Sequence, residues 1–323
     1  MTRTRASRLE AALAGLLACL TSLPVAGEPE DTPKKDSRVV ADRDRRRVIV
    51  PAVVLEQGKY QEQLMGAIEY VLVAEGGKAY ESLFETSATL DDIAAAFKEI
   101  ELPPGRAPRE GEAPRGARVR IHVEYERDGK KETKPVEAFM VHAKTGKPIE
   151  AADWVFTGSV LARDPSSEEW GLKCRTTKHV VGLHFQDNSP LLQNGRKEAW
   201  TQNIYKAAIE ALPPKGIPVR LVFEVVPSKL PGEVLGVHAL ISGRVQGIGF
   251  TTFAQSEAKK LGLEGYVRSL PDGRVEVVVE GAKEKVSILL EKLERGPRGA
   301  RVEKLEKRDV LPLGKHGEFE IDR

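Results

Sequence analysis

Gly243-Arg244-Val245-Gln246-Gly247-Ile248-Gly249-Phe250-Thr251 is the stretch whose reading decides the fold of the last third of this chain. Before it, Val237, Ala239 and Ile241 alternate with His238, Leu240 and Ser242, the period of a half-buried strand, and the glycines then break that strand sharply. After it, Phe250, Phe253, Ala254, Glu257, Ala258 and Leu261 recur at helical spacing with only Glu257 off pattern, and Gly262 supplies the stop. A glycine-rich turn between a strand and a helix N-terminus lets several backbone N–H groups converge where the helix macrodipole is positive, which suits an anion. The alternative is a turn kept because the fold needs it.

Working outward, Tyr266–Leu270 and Arg274–Glu280 read as two strands joined by Pro271-Asp272-Gly273, a hairpin turn. Val286, Leu289, Leu290 and Leu293 mark a second amphipathic helix ended by Gly296-Pro297, and Arg301–Val310 and Glu318–Ile321 are β-like. The order is βαββαβ, a ferredoxin-like α+β sandwich with a core of its own over residues 233–323.

The opening run, together with Gly265-Tyr266-Val267-Arg268-Ser269-Leu270-Pro271-Asp272-Gly273-Arg274-Val275-Glu276-Val277, resembles the two signatures of acylphosphatases, enzymes that hydrolyse carboxyl-phosphate anhydrides. The resemblance implies the same fold. It also implies an arginine after the phenylalanine, to clamp the phosphoryl oxygens, and an asparagine that orients the attacking water. Here those two positions hold Thr251 and Ser269. Losing one preorganised donor costs roughly 3 to 4 kcal/mol of transition-state stabilisation, and a phosphoryl-clamping arginine is worth about 10³ to 10⁵ in rate. Arg244 and Arg268 fall where the signatures already carry a basic residue beside the catalytic one, so they read as structural or rim charges. The expectation is a noncatalytic module whose loop, Gln246, Gly247, Ile248, Gly249, Phe250 and Thr251, binds phosphate or another small anion in the service of interaction or sensing, with a protein partner in prospect. The alternative is a weak or altered acylphosphatase. No cofactor is called for.

The other end of the chain reads as an export signal. Arg3, Arg5 and Arg8 form a basic n-region, Ala11–Val25 is apolar but short for a membrane span, and Val25-Ala26-Gly27 offers small residues for cleavage before Glu28. Residues 1–27 are therefore expected to be a signal peptide, which makes the protein periplasmic or secreted. Leu16-Leu17-Ala18-Cys19 offers the alternative of a lipoprotein anchored through Cys19. Removing the leader takes three arginines and one glutamate from 50 basic and 48 acidic residues, so the mature chain is formally neutral, which argues against nucleic acid as a partner. Its one remaining cysteine, Cys174, rules out an internal disulfide, and no transmembrane segment is expected in it.

Residues 28–47 are charge-dense and read as a disordered linker. Residues 48–227 suffice for a separate α+β domain, mostly antiparallel, with 228–232 linking it to the C-terminal module. Val48–Leu55 is an apolar strand; Glu69–Ala74 and Ala79–Glu85 flank Glu75-Gly76-Gly77-Lys78 as a hairpin; Thr89 and Asp92 begin a helix lined by Leu90, Ile93, Ala94 and Phe97. Pro103–Ala117 is a loop, Val119, Ile121, Val123 and Tyr125 alternate as a strand, Trp200–Leu212 reads as a helix and Val219–Val226 as a strand. Gly76–Phe84, Trp154–Ser159 and Ala211–Gly216 together resemble the YdjY-type family of bacterial exported proteins, a resemblance that brings no mechanism with it. Cys174, His179, His184 and Asp187 are metal-ligand types, but intervals of five converge them neither on a strand nor on a helix, so no metal site is expected.

Overall fold

The computed structural model describes residues 38–56, 66–110, 112–226, 234–314 and 318–322. The expected leader, Cys19 and the 228–232 linker lie outside them.

In the first domain, Val40–Asp42 (β1) and Arg47–Val54 (β2) pair antiparallel. Residues 40–47 are thus a hairpin and not the expected linker. Its charge pattern makes the turn: the Asp42 carboxylate accepts the Arg45 N–H at 3.0 Å and the Arg47 Nε–H at 2.9 Å. The other strands of this sheet are Tyr70–Ala74 (β3), Ser82–Thr86 (β4), Ala117–Arg127 (β5), Lys130–Pro135 (β6), Trp154–Phe156 (β7), His179–Gly182 (β8), Leu192–Gln193 (β9) and Pro218–Val225 (β10). Among the described residues they form a ten-stranded sheet in the order β1-β2-β10-β5-β7-β9-β8-β3-β4, with β6 beside β5. Because β4 also pairs with β2, the path returns to β2 and closes around the core, leaving β1 outside the ring. Pairing is antiparallel except at β8–β9 and β3–β4. Leu90–Glu99 (α1) packs on β1 and β2, and its cap is as expected, with Thr89 Oγ1 accepting the Asp92 N–H at 3.1 Å.

Two expectations fail here. Residues 69–85 are no hairpin: β3 and β4 run parallel, with Tyr70 opposite Ser82 and Leu72 opposite Phe84. The chain reverses twice between them, once at Gly76 with φ +83° and again at a 3-10 turn, Ala79–Glu81, where Ser82 Oγ donates to Lys78 O. Nor is Trp200–Leu212 a helix. Lys197–Trp200 is a 3-10 turn, and Tyr205–Ala207 is a strand paired with Met140–His142, burying Tyr205 and Ala207 at period two.

The C-terminal module follows the expected order. Val234–Arg244 (β11), Phe250–Lys260 (α2), Glu264–Ser269 (β12), Val275–Ala282 (β13), Lys283–Arg295 (α3), Arg301–Val310 (β14) and Glu320–Ile321 (β15) form a five-stranded sheet, β14-β11-β13-β12-β15. Val237, Ala239, Ile241, Val277 and Val279 face Phe250, Ala254, Leu289 and Leu293 of the two helices in one core. Glu257, the residue off pattern, is tied by Lys260 and by Lys292 of α3.

The opposite face of this sheet lies against the first domain. Tyr266 Oη donates to Pro104 O at 2.9 Å, the Leu311 N–H to Glu101 O at 2.8 Å, and Arg308 to Leu102 O at 3.2 Å. Arg106 pairs with Asp322 at 3.1 Å and Arg115 with Glu320 at 2.7 Å. Leu311 and Leu313, just past β14, are buried in the core of the first domain. The segment 233–323 therefore does not hold all of its own apolar contacts.

Candidate functional site

The glycine-rich turn is built by two left-handed glycines. Gly247 has φ +73° and Gly249, which caps α2, has φ +77°, conformations that glycine adopts without the cost of a Cβ. The first bond of the helix runs from the Phe253 N–H to Gly249 O. The N–H groups of Phe250, Thr251 and Thr252 precede it and have no intrahelical acceptor. Phe250 is buried and fixes the first turn, while Gly247 and Gly249 are exposed, so the amide-bearing side of the loop is open to a ligand.

Gln246 ties this loop to the β12–β13 turn: its Nε2 donates to Leu270 O at 2.8 Å and to Arg274 O at 2.7 Å. Ser269, exposed at the end of β12, immediately precedes that anchor, and half-buried Thr251 is the second residue of α2. The two substituted positions thus stand on elements clamped together through Gln246.

The basic residues nearby are placed for other work. Arg268 is largely buried, with its Nε 2.5 Å from Glu276 and another guanidinium nitrogen 3.3 Å from Asp322. Arg274 is folded onto Asp272 at 2.6 Å. Arg244 is exposed at the end of β11, opposite Arg301 in the β11–β14 register, and is a rim charge as expected. Arg268 is structural. Glu276 accepts from Arg268 and lies 2.9 Å from His238 Nε2; burial alone would raise its pKa, but the Arg268 charge and the His238 hydrogen bond hold it at about 2.

The four metal-type residues of the first domain are divided by the structure. Asp187 lies 2.6 Å from His179 Nδ1 and accepts the Tyr70 hydroxyl at 2.9 Å, with the Tyr70 and His179 rings 4.0 Å apart. Burial opposes the Asp187 charge, yet the His179 contact wins and its pKa is lowered. His184 turns instead to Glu69, Nε2 to Oε2 3.4 Å, and Lys78 joins Glu69 to Glu81. Glu69 is held at about 2, first by the His184 ring; Glu81 goes the other way, raised first by burial. Cys174 stays apart, buried, its thiol pushed up to about 11 by desolvation. Among the described residues no group of three or more His, Cys, Asp or Glu is arranged for a metal ion. Tyr70, Glu69, Lys78 and Glu81 complete this polar cluster from about a hundred residues upstream, a distance at which residue spacing carries no signal.

Among the described residues no helix is long and apolar enough to cross a membrane.

Comparison with known proteins accounts for both domains. The YdjY domain model matches residues 39–224 and the acylphosphatase model residues 237–321. An acylphosphatase of Thermus thermophilus is 59% identical over 68 residues, 21% of this chain and 77% of that protein. One of Pseudomonas paraeruginosa is 54% identical over 77 residues, 24% of this chain and 84% of that protein. The crystal structure of acylphosphatase from Bacillus subtilis covers 28% of this chain and 99% of its own, at 34% identity and a TM-score of 0.27. The chain belongs to the YdjY domain family and carries, at its C-terminal end, a domain of the acylphosphatase family.

Proposed function

We propose that the acylphosphatase domain of this protein binds phosphate or a similar small anion without hydrolysing acyl phosphates. The observation that carries this reading is the combination, on one clamped site, of amides free at the α2 N-terminus with Thr251 and Ser269 at the two positions where the family resemblance implies arginine and asparagine. Free amides on a positive helix end suffice to hold an anion. They do not supply the mobile positive charge and the water-orienting amide that phosphoryl transfer draws on. Neither Arg268 nor Arg274 is available as a substitute, since each is engaged by carboxylates. A protein of this kind serves recognition or sensing. Titration of isotope-labelled full-length protein with inorganic phosphate should shift the amide resonances of Gly247, Gly249 and Thr251 saturably; unmoved resonances at millimolar phosphate would reduce the loop to a structural turn.

The same reading places the protein outside the cytoplasm, on the strength of the basic n-region, the apolar stretch and Val25-Ala26-Gly27. Mass spectrometry of the mature protein should find an unmodified N-terminus at Glu28. A lipid-modified Cys19 would replace release by anchoring.

A further inference from the structure

Two buried guanidinium N–H groups at the boundary between the domains have no acceptor: Arg106 Nε and one terminal nitrogen of Arg308. A buried donor without a partner is costly, the more so when charged, so native structures supply an acceptor. Arg106 lines a cavity of about 120 Å³ between the loop over residues 105–116 and the start of β5 in the first domain and strands β12 and β15 of the second. That is space for roughly four water molecules at about 30 Å³ each, or for one small polyatomic ion.

The charges around this cavity are unbalanced. Arg106 is matched by Glu112 and Asp322, Arg115 by Glu320, and Arg268 by Glu276. Asp322 must also serve Arg109, at 3.0 Å, and Arg268. Arg118 on the cavity wall forms no ion pair among the described residues; Arg308 is not on that wall and feels the charges of Glu276 and Glu101. A concave, partly buried space with surplus guanidinium charge and an unpaired buried donor selects negative charge, and its low local dielectric strengthens the attraction.

We infer that this interdomain cavity binds a small oxyanion, a phosphate or carboxylate group, held by Arg106 and Arg118 against the Tyr266 edge of the acylphosphatase domain. Arg106 offers its Nε–H, since its terminal nitrogens are taken by Asp322 and Glu112, and Arg118 offers a guanidinium that no carboxylate among the described residues pairs. The site is separate from the turn at residues 246–251 and does not depend on it. The second domain contributes the Tyr266 ring, while its carboxylates Glu320 and Asp322 are paired with Arg115 and Arg106, so the anion is held by the arginines of the first domain.

The test is titration of the labelled full-length protein with inorganic phosphate and, separately, with acetate, followed at the amides of Gly105, Gly116 and Gly265 around the cavity and at Gly247 and Gly249 in the loop. The cavity amides should shift saturably with at least one probe, and the probe acting at lower concentration identifies the chemistry. Arg118→Gln removes no ion pair among the described residues; it should weaken the cavity isotherm about tenfold and leave the loop amides as in wild type, while Arg118→Lys retains part of the affinity. Cavity amides unmoved by either probe in the wild type would overturn the inference whatever the loop does, and so would an isotherm indifferent to Arg118→Gln. Loop amides that fail to respond while the cavity set does would count against the proposed function alone.

Discussion

Glu276 lies on the sheet face turned away from the helices, its side chain 7% exposed between His238 and Arg268. In an unfolded chain its carboxyl would titrate near 4.5; in the folded protein it is held at about 2. A depressed carboxylate stabilises the fold above the unfolded pKa and loses that contribution as the pH falls through the folded one. The window is therefore pH 4.5 down to about 2, and the full effect is on the order of 3 kcal/mol. Glu276→Gln should destabilise the protein at pH 7, and the gap from wild type, followed by urea unfolding, should narrow as the pH drops through that window. A gap independent of pH would mean that Glu276 acts through packing rather than charge.

At the scale of elements, what can be read from sequence depends on punctuation. The C-terminal module is legible because every element carries its own stop: Gly249 before α2, Gly262 after it, Pro271-Asp272-Gly273 between β12 and β13, Gly296-Pro297 after α3. The candidate site is drawn from two contiguous signatures for the same reason, although the Gln246 clamp between loop and turn appears only in three dimensions. The first domain lacks such stops. Gly76-Gly77 fits a hairpin and a double reversal equally well, and what decides is that β4 finds β2 on its other edge. Residues 200–212 carry apolar groups that suit a helix, but pairing with Met140–His142 overrides that preference. The loop at 103–117 is legible as a loop from its proline and glycine content; its packing against a second domain is something that spacing within the loop cannot reveal.

For the whole molecule, the two domains form a joint core at Leu311 and Leu313 and share ion pairs through Arg106, Arg115, Glu320 and Asp322. A fragment of residues 234–323 would leave both leucines and the Tyr266 face in water. Each buried leucine contributes about 1.5–3 kcal/mol, so the fragment should unfold at a distinctly lower urea concentration than the same domain within the full chain, and the full chain should unfold in one transition. A fragment as stable as the intact protein would show that the interface contributes nothing to the fold. The central claim, that this chain keeps the acylphosphatase frame without its chemistry, meets its most direct test in benzoyl phosphate hydrolysis by the full-length wild type and by the Thr251→Arg, Ser269→Asn double variant. Wild-type hydrolysis should be no faster than buffer, and the double variant should turn over above either single variant, because clamp and water orientation act on one transition state. Robust wild-type hydrolysis that survives Thr251→Ala would contradict that claim.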